Sequence, residues 1–319
     1  MLDLSILIVN WNGGSTVKNC LASLLGAPSA LQKEIIVVDN ASTDGSNDMI
    51  RREFPQVHFI QNGENRGYGT GNNQAFRVSR GRYFLVLNND VTVVGNSLDG
   101  MVRYMDAHPE AGLLGPALQS PDGLFQSSAN RRFPNLLDVF LEELFYLTSL
   151  RYIFLRSRIG AGVSKFFWGG KIREVSWVGG ASLLIRREAV DPIGPFDEHF
   201  FFYREDCDLC LRLRKKGWKI VYHPDFIFTH FWGDATQKNL RKISIEGRRS
   251  LLYYFRKHQG RSAFGLAKLF LLAGLSIRTA FLFLNTLFWK KEEKRLRFFR
   301  EMVCLFYKME DPSQAVHVD

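Results

Sequence analysis

The sequence predicts an α/β fold: a mostly parallel central sheet flanked by helices, with a helical C-terminal extension. Three observations carry this. Four compact apolar runs in the first ninety residues are strand-sized, and each closes in Asn, Asp or Gly. Helical patterns fill the intervals between them. Past residue 240 the alternation stops, and basic and apolar stretches with helical periodicity take over.

The strand-like runs are Leu4–Val9, Ile35–Val38, Val57–Ile60 and Tyr83–Leu87. Their β-branched and aromatic content suits strands covered on both faces. The helical patterns between them, Thr16–Leu25, Ser46–Glu53 and Gly69–Ser79, supply the right-handed crossovers of a parallel sheet. From Pro116 to Ser176 the periodicity weakens, apart from an amphipathic stretch at 136–147. Val175–Ile185 then reads as a strand interrupted by Gly179 and Gly180. A helix opens near Tyr203–Asp206 and ends before Gly217, and Trp218–His223 begins the next strand. The expected division is a catalytic domain over residues 1–240, with halves 1–115 and 116–240, and a tail over 241–319.

Parallel sheets of this kind bind ligands beyond the carboxyl ends of their strands. There this chain places Asn10-Trp11-Asn12-Gly13-Gly14, then Asp39 to Asp44, then Asn62 to Gly67, and Asn88-Asn89-Asp90. Any one such loop reads as turn chemistry; four in succession point to one pocket. A dinucleotide fingerprint does not follow the first strand, and no phosphate-binding P-loop motif occurs.

Two groups of acids stand out. Asp90 suits Mg²⁺ or Mn²⁺, hard ions that prefer carboxylate and phosphate oxygen. Glu205, Asp206 and Asp208 crowd a helix start, where they either cap the helix or serve chemistry. With an acid-bearing loop upstream, Asp206 is the candidate general base and Glu205 its supporting neighbour. His230 is the candidate second ligand to the metal, against the alternative of a histidine packed in a loop. The four cysteines do not make a disulfide framework, and Cys207 and Cys210 read as reduced thiols packed in a helix. The N-terminus reads as a strand rather than a signal peptide, so a cytoplasmic setting is expected.

These pieces, taken in order, resemble the inverting glycosyltransferases of family 2, in particular their bacterial rhamnosyltransferase-like branch. The matching segments are Ser5–Asn12, Val37–Asp44, Asn65–Asn73, Leu87–Asp90, Gly179-Gly180-Ala181, Gly194–Glu198, Arg204–Arg212, Gly217-Trp218-Lys219 and His230, spread over residues 3–235. The resemblance implies a GT-A type fold and a dTDP- or UDP-sugar donor. It also implies Asp206 as base for a single displacement with inversion. It places Asp39 at the pyrimidine ring and Val9, Asn10 and Asn12 along base and ribose. The Asn65–Asn72 loop, including Gly69, would close over the donor, with Asn88 and Asn89 beside the diphosphate. Trp177 and Gly180 would line the sugar and acceptor side. One departure stands in the family's DxD position, where Asn88 replaces the first acid and leaves Asp90 as the sole carboxylate. The expected reaction moves a sugar, best matched by L-rhamnose from dTDP-rhamnose, to a hydroxyl of a glycan or lipid-linked glycan. The alternatives are a UDP-hexose-dependent transferase of the same family and a catalytically silent nucleotide- or glycan-binding scaffold.

The net charge of +10 is concentrated in the tail: residues 241–300 hold fifteen Lys or Arg against three Glu, a net +12. Aliphatic and aromatic residues threaded through it favour an anionic membrane surface over nucleic acid. On a helical wheel Arg261, Lys268, Arg278 and Asn285 fall within one third of the circumference, which predicts a basic stripe at lipid phosphates on a helix kinked near Gly274. The rival reading is a helix pair packed on the domain or forming a homodimer interface. A peripheral position on the inner face of the cell membrane is the expectation.

Overall fold

The computed structural model describes residues 2–126, 128–144, 157–231, 240–288 and 293–313. Strand β1 (Leu2–Asn10) sets the pattern. Leu4, Ile6 and Ile8 enter one hydrophobic core and Leu7 enters another, because successive side chains leave a strand on opposite faces. Both cores are closed by helices. Helix α1 (Gly14–Gly26) buries Val17, Cys20, Leu21 and Leu24 at helical spacing. Next come β2 (Lys33–Asp39), α2 (Ser46–Glu53), β3 (His58–Gln61), α3 (Tyr68–Val78) and β4 (Gly81–Asn88). The sequence-predicted strands and crossover helices of this half are all present, and β1, β2, β3 and β4 pair in parallel.

The second half departs from the pattern. After β5 (Val91–Val93) and α4 (Ser97–Ala107), strand β6 (Ala111–Gln119) runs through the centre of the sheet. Its Gly112 and Gly115 leave no room for side chains: a Cβ at 112 would sit 2.8 Å from Trp218, and one at 115 would overlap Val178. Two-residue strands β7 (Phe125–Gln126) and β8 (Ala129–Asn130) follow, then α5 (Leu136–Leu144) and α6 (Arg158–Trp168). The expected strand over Val175–Ile185 is divided. After β9 (Arg173–Glu174), β10 (Trp177–Val178) pairs with β8 in a small separate sheet. Gly179 and Gly180 then turn the chain, and β11 (Ser182–Arg186) enters the main sheet antiparallel to both β4 and β6. The short helix α7 (Arg187–Val190) and α8 (Glu205–Lys215) lead to β12 (Lys219–His230), which carries on past Pro224 through a register shift between His223 and Ile227. The order along the sheet is β3-β2-β1-β4-β11-β6-β12-β5, with β7 beside β6 and β9 beside β12.

The chain divides into two units, Met1–Phe133 with Arg158–Ile243, and Pro134–Ser157 with Ser244–Asp319. The second contains α5 together with α9 (Leu240–His258, from Ser244 on), α10 (Gly260–Phe288) and α11 (Glu293–Lys308). Helix α10 runs unbroken through Gly274. The glycine serves packing against α5, since a Cβ there would lie 2.6 Å from the Glu143 carbonyl carbon. The expected basic stripe is divided: Arg261 is exposed, whereas Lys268 and Arg278 turn inward. Arg278 pairs with Glu143 at 3.1 Å and donates to the Glu143 carbonyl, while Lys268 Nζ donates to the Tyr307 and Met309 carbonyls at the C-terminal end of α11. Leu269, Ile277, Phe281 and Leu284 of the same helix are exposed instead. Lys290 and Lys291 lie outside the described residues.

Candidate active site

Strands β1 and β2 are in register up to Asn10 opposite Asp39, so their two polar termini meet. Asn10 Nδ2 donates to Asp39 Oδ1 at 2.8 Å and lies 2.9 Å from the Ser46 hydroxyl. Asn10 Oδ1 accepts from Asn89 Nδ2 at 2.9 Å. Asp39 is fully buried, and its second oxygen accepts the Ser42 backbone N–H. The Ser42 hydroxyl in turn accepts from the Asn12 backbone, and Asn12 Oδ1 accepts from the Thr43 N–H. Asn12 and Ala41 both hold positive φ (52° and 58°), and Gly13 completes the turn, since a Cβ there would overlap the side chains of Asn10 and Asn89. Asn10, Asn12, Asp39 and Asn89 thus form one network, in which Asp39 organises the loop from within.

Asn65 joins this network at its edge, 3.3 Å from Asn40 Nδ2, and Asn40 also donates to the Gly67 carbonyl at 3.0 Å. Gly67 has φ +85°, and a Cβ there would meet the Phe201 carbonyl at 2.8 Å. Val9, Gly69 and Asn72 are buried beside it: Gly69 lies against Phe196 and the Phe200 carbonyl, and Asn72 Nδ2 donates to the Tyr68 carbonyl. These three pack the site's floor.

Asn88 donates its backbone N–H to the Ala181 carbonyl, which ties the end of β4 to the start of β11. Two residues on, Asp90 meets β12, because β5 and β12 pair antiparallel with His230 opposite Val91. His230 Nε2 lies 3.4 Å from Asp90 Oδ1, with both side chains about nine-tenths covered. Gln126 on β7 holds the far side of the ring: its Oε1 is 3.1 Å from His230 Nδ1 and its Nε2 donates to the His230 carbonyl. A donating Nδ1 leaves the Nε2 lone pair facing Asp90. A carboxylate oxygen facing an imidazole nitrogen is a pair of donors of the kind that suits Mn²⁺, with the carboxylate alone suiting Mg²⁺. No group of three His, Cys, Asp or Glu converges among the described residues.

Asp206 sits in the first turn of α8. Oδ2 accepts the Gly180 N–H at 2.7 Å and Oδ1 the Cys207 N–H at 2.6 Å. Burial raises its carboxyl above the usual range, against the pull of those two N–H groups and of Arg204. Glu205 is pushed well above its ordinary value by burial first and by the Asp206 charge second. Glu205 Oε2 is buried without a hydrogen bond, so of the pair Asp206 is the group that ionises first. The chain reaches α8 through Tyr203 and Arg204, both with positive φ (67° and 72°). Asp208 binds Arg212 at 2.7 Å, and Arg212 donates to the carbonyls of Ile193, Gly194 and Pro195, fastening the 193–197 turn to α8. Trp177 Nε1 donates to the Arg132 carbonyl, and the indole is half-buried where β10 pairs with β8.

Two residues absent from the sequence reading join these parts. The Tyr68 hydroxyl donates to the Gly180 carbonyl at 2.9 Å, so Gly180 is gripped by Tyr68 on one side and Asp206 on the other. Burial drives the Tyr68 phenol well above its ordinary range, and the charges of Glu205, Asp206 and Asp90 raise it further. One tyrosine therefore stands within the field of both acidic groups. Tyr68 lies inside the Asn65–Asn73 segment, where its place between two glycines was the available signal. Gln126 lies in no motif, and nothing in the sequence marks it.

A central sheet covered by helices on both faces, with acids gathered at its strand ends, is an α/β architecture of the GT-A type. Residues 5–172 match Glycosyl transferase family 2, more than half of the chain, and the chain belongs to that family. It is 29% identical over 269 residues, 81% of its length and 85% of the relative's, to the N-acetylglucosaminyl-diphospho-decaprenol L-rhamnosyltransferase of Mycobacterium tuberculosis. It is 25% identical over 172 residues to the rhamnosyltransferase WbbL of Escherichia coli, covering 52% of this chain and 61% of that one. Among solved structures it is similar in fold to a mannosyltransferase from Pyrobaculum calidifontis in complex with GDP-Man and Mn²⁺. That match has a TM-score of 0.54 at 16% identity and covers 97% of this chain and 88% of the other. The chain is a glycosyltransferase that moves a sugar from a nucleotide-sugar donor.

Proposed function

We propose that the chain transfers L-rhamnose from dTDP-rhamnose to a hydroxyl of a polyprenyl-diphosphate-linked glycan, with inversion, at the inner face of the cell membrane. The observation that carries the chemistry is that Asp206 and Tyr68 both hold Gly180, while the neighbouring rung from Asn88 to Ala181 ties this glycine's segment to the loop that sets Asp90 beside His230. The choice of sugar and acceptor is supported by the similarity to the mycobacterial enzyme, whose name specifies both.

In this reading Asp206 takes the acceptor proton. Each of its oxygens accepts one backbone N–H, which orients the carboxylate and leaves lone-pair capacity for a hydroxyl. The acceptor oxygen bonds to the anomeric carbon as the bond to the diphosphate oxygen breaks on the opposite side. The proton passes to Asp206, and the electron pair leaves with the nucleoside diphosphate. Asp90 and His230 would hold Mg²⁺ or Mn²⁺, whose chemistry when bound is Lewis-acid neutralisation of the leaving diphosphate. Asn10, Asn12, Asp39 and Asn89 shape the base and ribose side, with Asn65 at its border. Placement at the membrane is supported by α10, whose stretch Gly260–Leu284 is long and apolar enough to cross or line a bilayer.

The test is a donor panel of dTDP-rhamnose, UDP-glucose, UDP-N-acetylglucosamine and GDP-mannose with N-acetylglucosaminyl-diphospho-polyprenol as acceptor, following nucleoside diphosphate release and product mass. Transfer confined to dTDP-rhamnose is expected. Faster turnover of a UDP-hexose would replace the rhamnose assignment, and absence of turnover with every donor would favour a silent scaffold.

A further inference from the structure

Helix α6 presents an apolar face that the catalytic unit does not use. Ile159, Val163, Phe166 and Phe167 recur at i, i+4, i+7 and i+8, the spacing of one helical face, and all are exposed, Phe166 to 82%. The opposite face is accounted for. Ala161 and Ser164 are buried, and the Trp168 ring packs edge-on to Tyr222 at 5.9 Å with the Arg131 guanidinium over it. The exposed face is therefore a second apolar surface on an amphipathic helix, not a core face left open.

Its charge names the occupant. Residues 1–240 carry a net charge of +1, and residues 158–173 alone carry +4 with no acid among them. Lys165 and Lys171, both exposed, flank the two phenylalanines, and exposed Ile172 extends the apolar surface. Aromatic side chains bracketed by cations on an amphipathic helix match an anionic bilayer surface, where rings enter the acyl boundary and ammonium groups meet phosphates. A soluble protein partner for this patch would have to be both apolar and acidic.

The position of α6 gives the surface a purpose. The helix packs on β7, the strand that carries Gln126, and Gln126 fixes His230 beside Asp90. We infer that the α6 face is a lipid-inserting element of the catalytic unit, seating the donor pocket next to the bilayer in which a lipid-linked acceptor resides. The inference rests on the proposed function for the acceptor's location only; the insertion follows from the helix itself.

The test uses the full chain. Cys304 is exposed whereas Cys20, Cys207 and Cys210 are buried, so Phe166→Cys in a Cys304→Ser background gives one labelling site for an environment-sensitive fluorophore. On vesicles of phosphatidylglycerol and phosphatidylethanolamine the emission should shift to the blue and be quenched by spin-labelled lipid. Phe166→Ser with Phe167→Ser should weaken vesicle binding by roughly tenfold or more, since each ring loses its transfer into the acyl boundary. Turnover of a short-chain, water-soluble acceptor should be unchanged. Vesicle-bound protein with unmoved emission would overturn the inference. So would a shift that grows with protein concentration without vesicles, which would mark a contact between copies. Absence of short-chain turnover in the unmodified protein would count against the proposed function alone, because the fluorophore reads insertion independently of catalysis.

Discussion

Replacing Asp206 with Asn tests the reaction most directly, because the change is nearly isosteric and its separate effects can be estimated. The amide keeps one oxygen for either Gly180 N–H or Cys207 N–H, and its NH₂ must face the other. One charge-assisted hydrogen bond is lost, a cost of about 1.5–3 kcal/mol. Against this, a buried charge is removed, and that charge is costly enough for burial to raise the carboxyl's pKa. The two effects oppose each other, so the fold should survive. Catalysis has no such offset. Loss of the general base should cut kcat by about 10²–10⁴, equivalent to about 3–5 kcal/mol of barrier. Stopped-time assays of nucleoside diphosphate release, with donor affinity measured by calorimetry, separate the outcomes: kcat should fall while donor binding stays within about threefold. A variant that keeps more than a tenth of the wild-type rate would refute Asp206 as base.

The same residue gives a pH signature. Its folded pKa lies above the unfolded one, so the native state holds the proton more tightly, and the associated stability is present at low pH and lost as pH rises through the folded value. The Tm of Asp206→Asn relative to wild type should therefore rise from acid to neutral pH, while wild-type kcat/KM climbs over the same window as the base ionises. Glu205→Gln should retain most activity, because the glutamine copies a neighbour that is already protonated when Asp206 is charged; a loss as deep as that of Asp206→Asn would show that Glu205 itself transfers the proton. Gln126→Leu should weaken Mn²⁺ affinity by about 10–100-fold through a loosened His230, read by Mn²⁺ electron paramagnetic resonance with nucleoside diphosphate present, whereas equal affinity would remove Gln126 from the site. Gly274→Ala should lower stability by about 1–3 kcal/mol in urea unfolding, the reverse of the usual gain for a glycine in mid-helix, because the new methyl meets backbone of Glu143. Stabilisation would mean that α5 and α10 are not packed this closely.

What could be read from the sequence followed from which interactions are local. Strands β1 to β4 announce themselves because each is a short, mostly apolar run followed closely by turn residues, and the polar ends of β1, β2 and β4 met as expected. Strand β6 was hidden by Gly112, Gly115 and Pro116, residues that ordinarily signal a loop but here admit Trp218 and Val178. Trp177 and Ser182 appeared to share one strand because local patterning cannot show that β10 and β11 belong to different sheets. The helical wheel grouped Lys268 with Arg278 but could not say what the rest of the unit covers: Arg278 is taken by Glu143 of α5 and Lys268 by carbonyls at the end of α11. Gln126 acts through a histidine more than a hundred residues away, a relation that only the folded sheet creates.

The antiparallel entry of β11 beside β4 governs what can change in such an enzyme. Ala181 accepts the Asn88 N–H, and Ser182 stands opposite Leu87, so the glycine that holds Asp206 and the loop that carries Asp90 adjoin the same end of one ladder. In the proposed reaction, the leaving-group side and the proton-accepting side are thereby set at a fixed gauge by backbone hydrogen bonds. From outside the sheet Tyr68 reaches this end of the ladder, so substitutions at 65–66 leave the gauge in place while a change at Tyr68 releases Gly180 on one side.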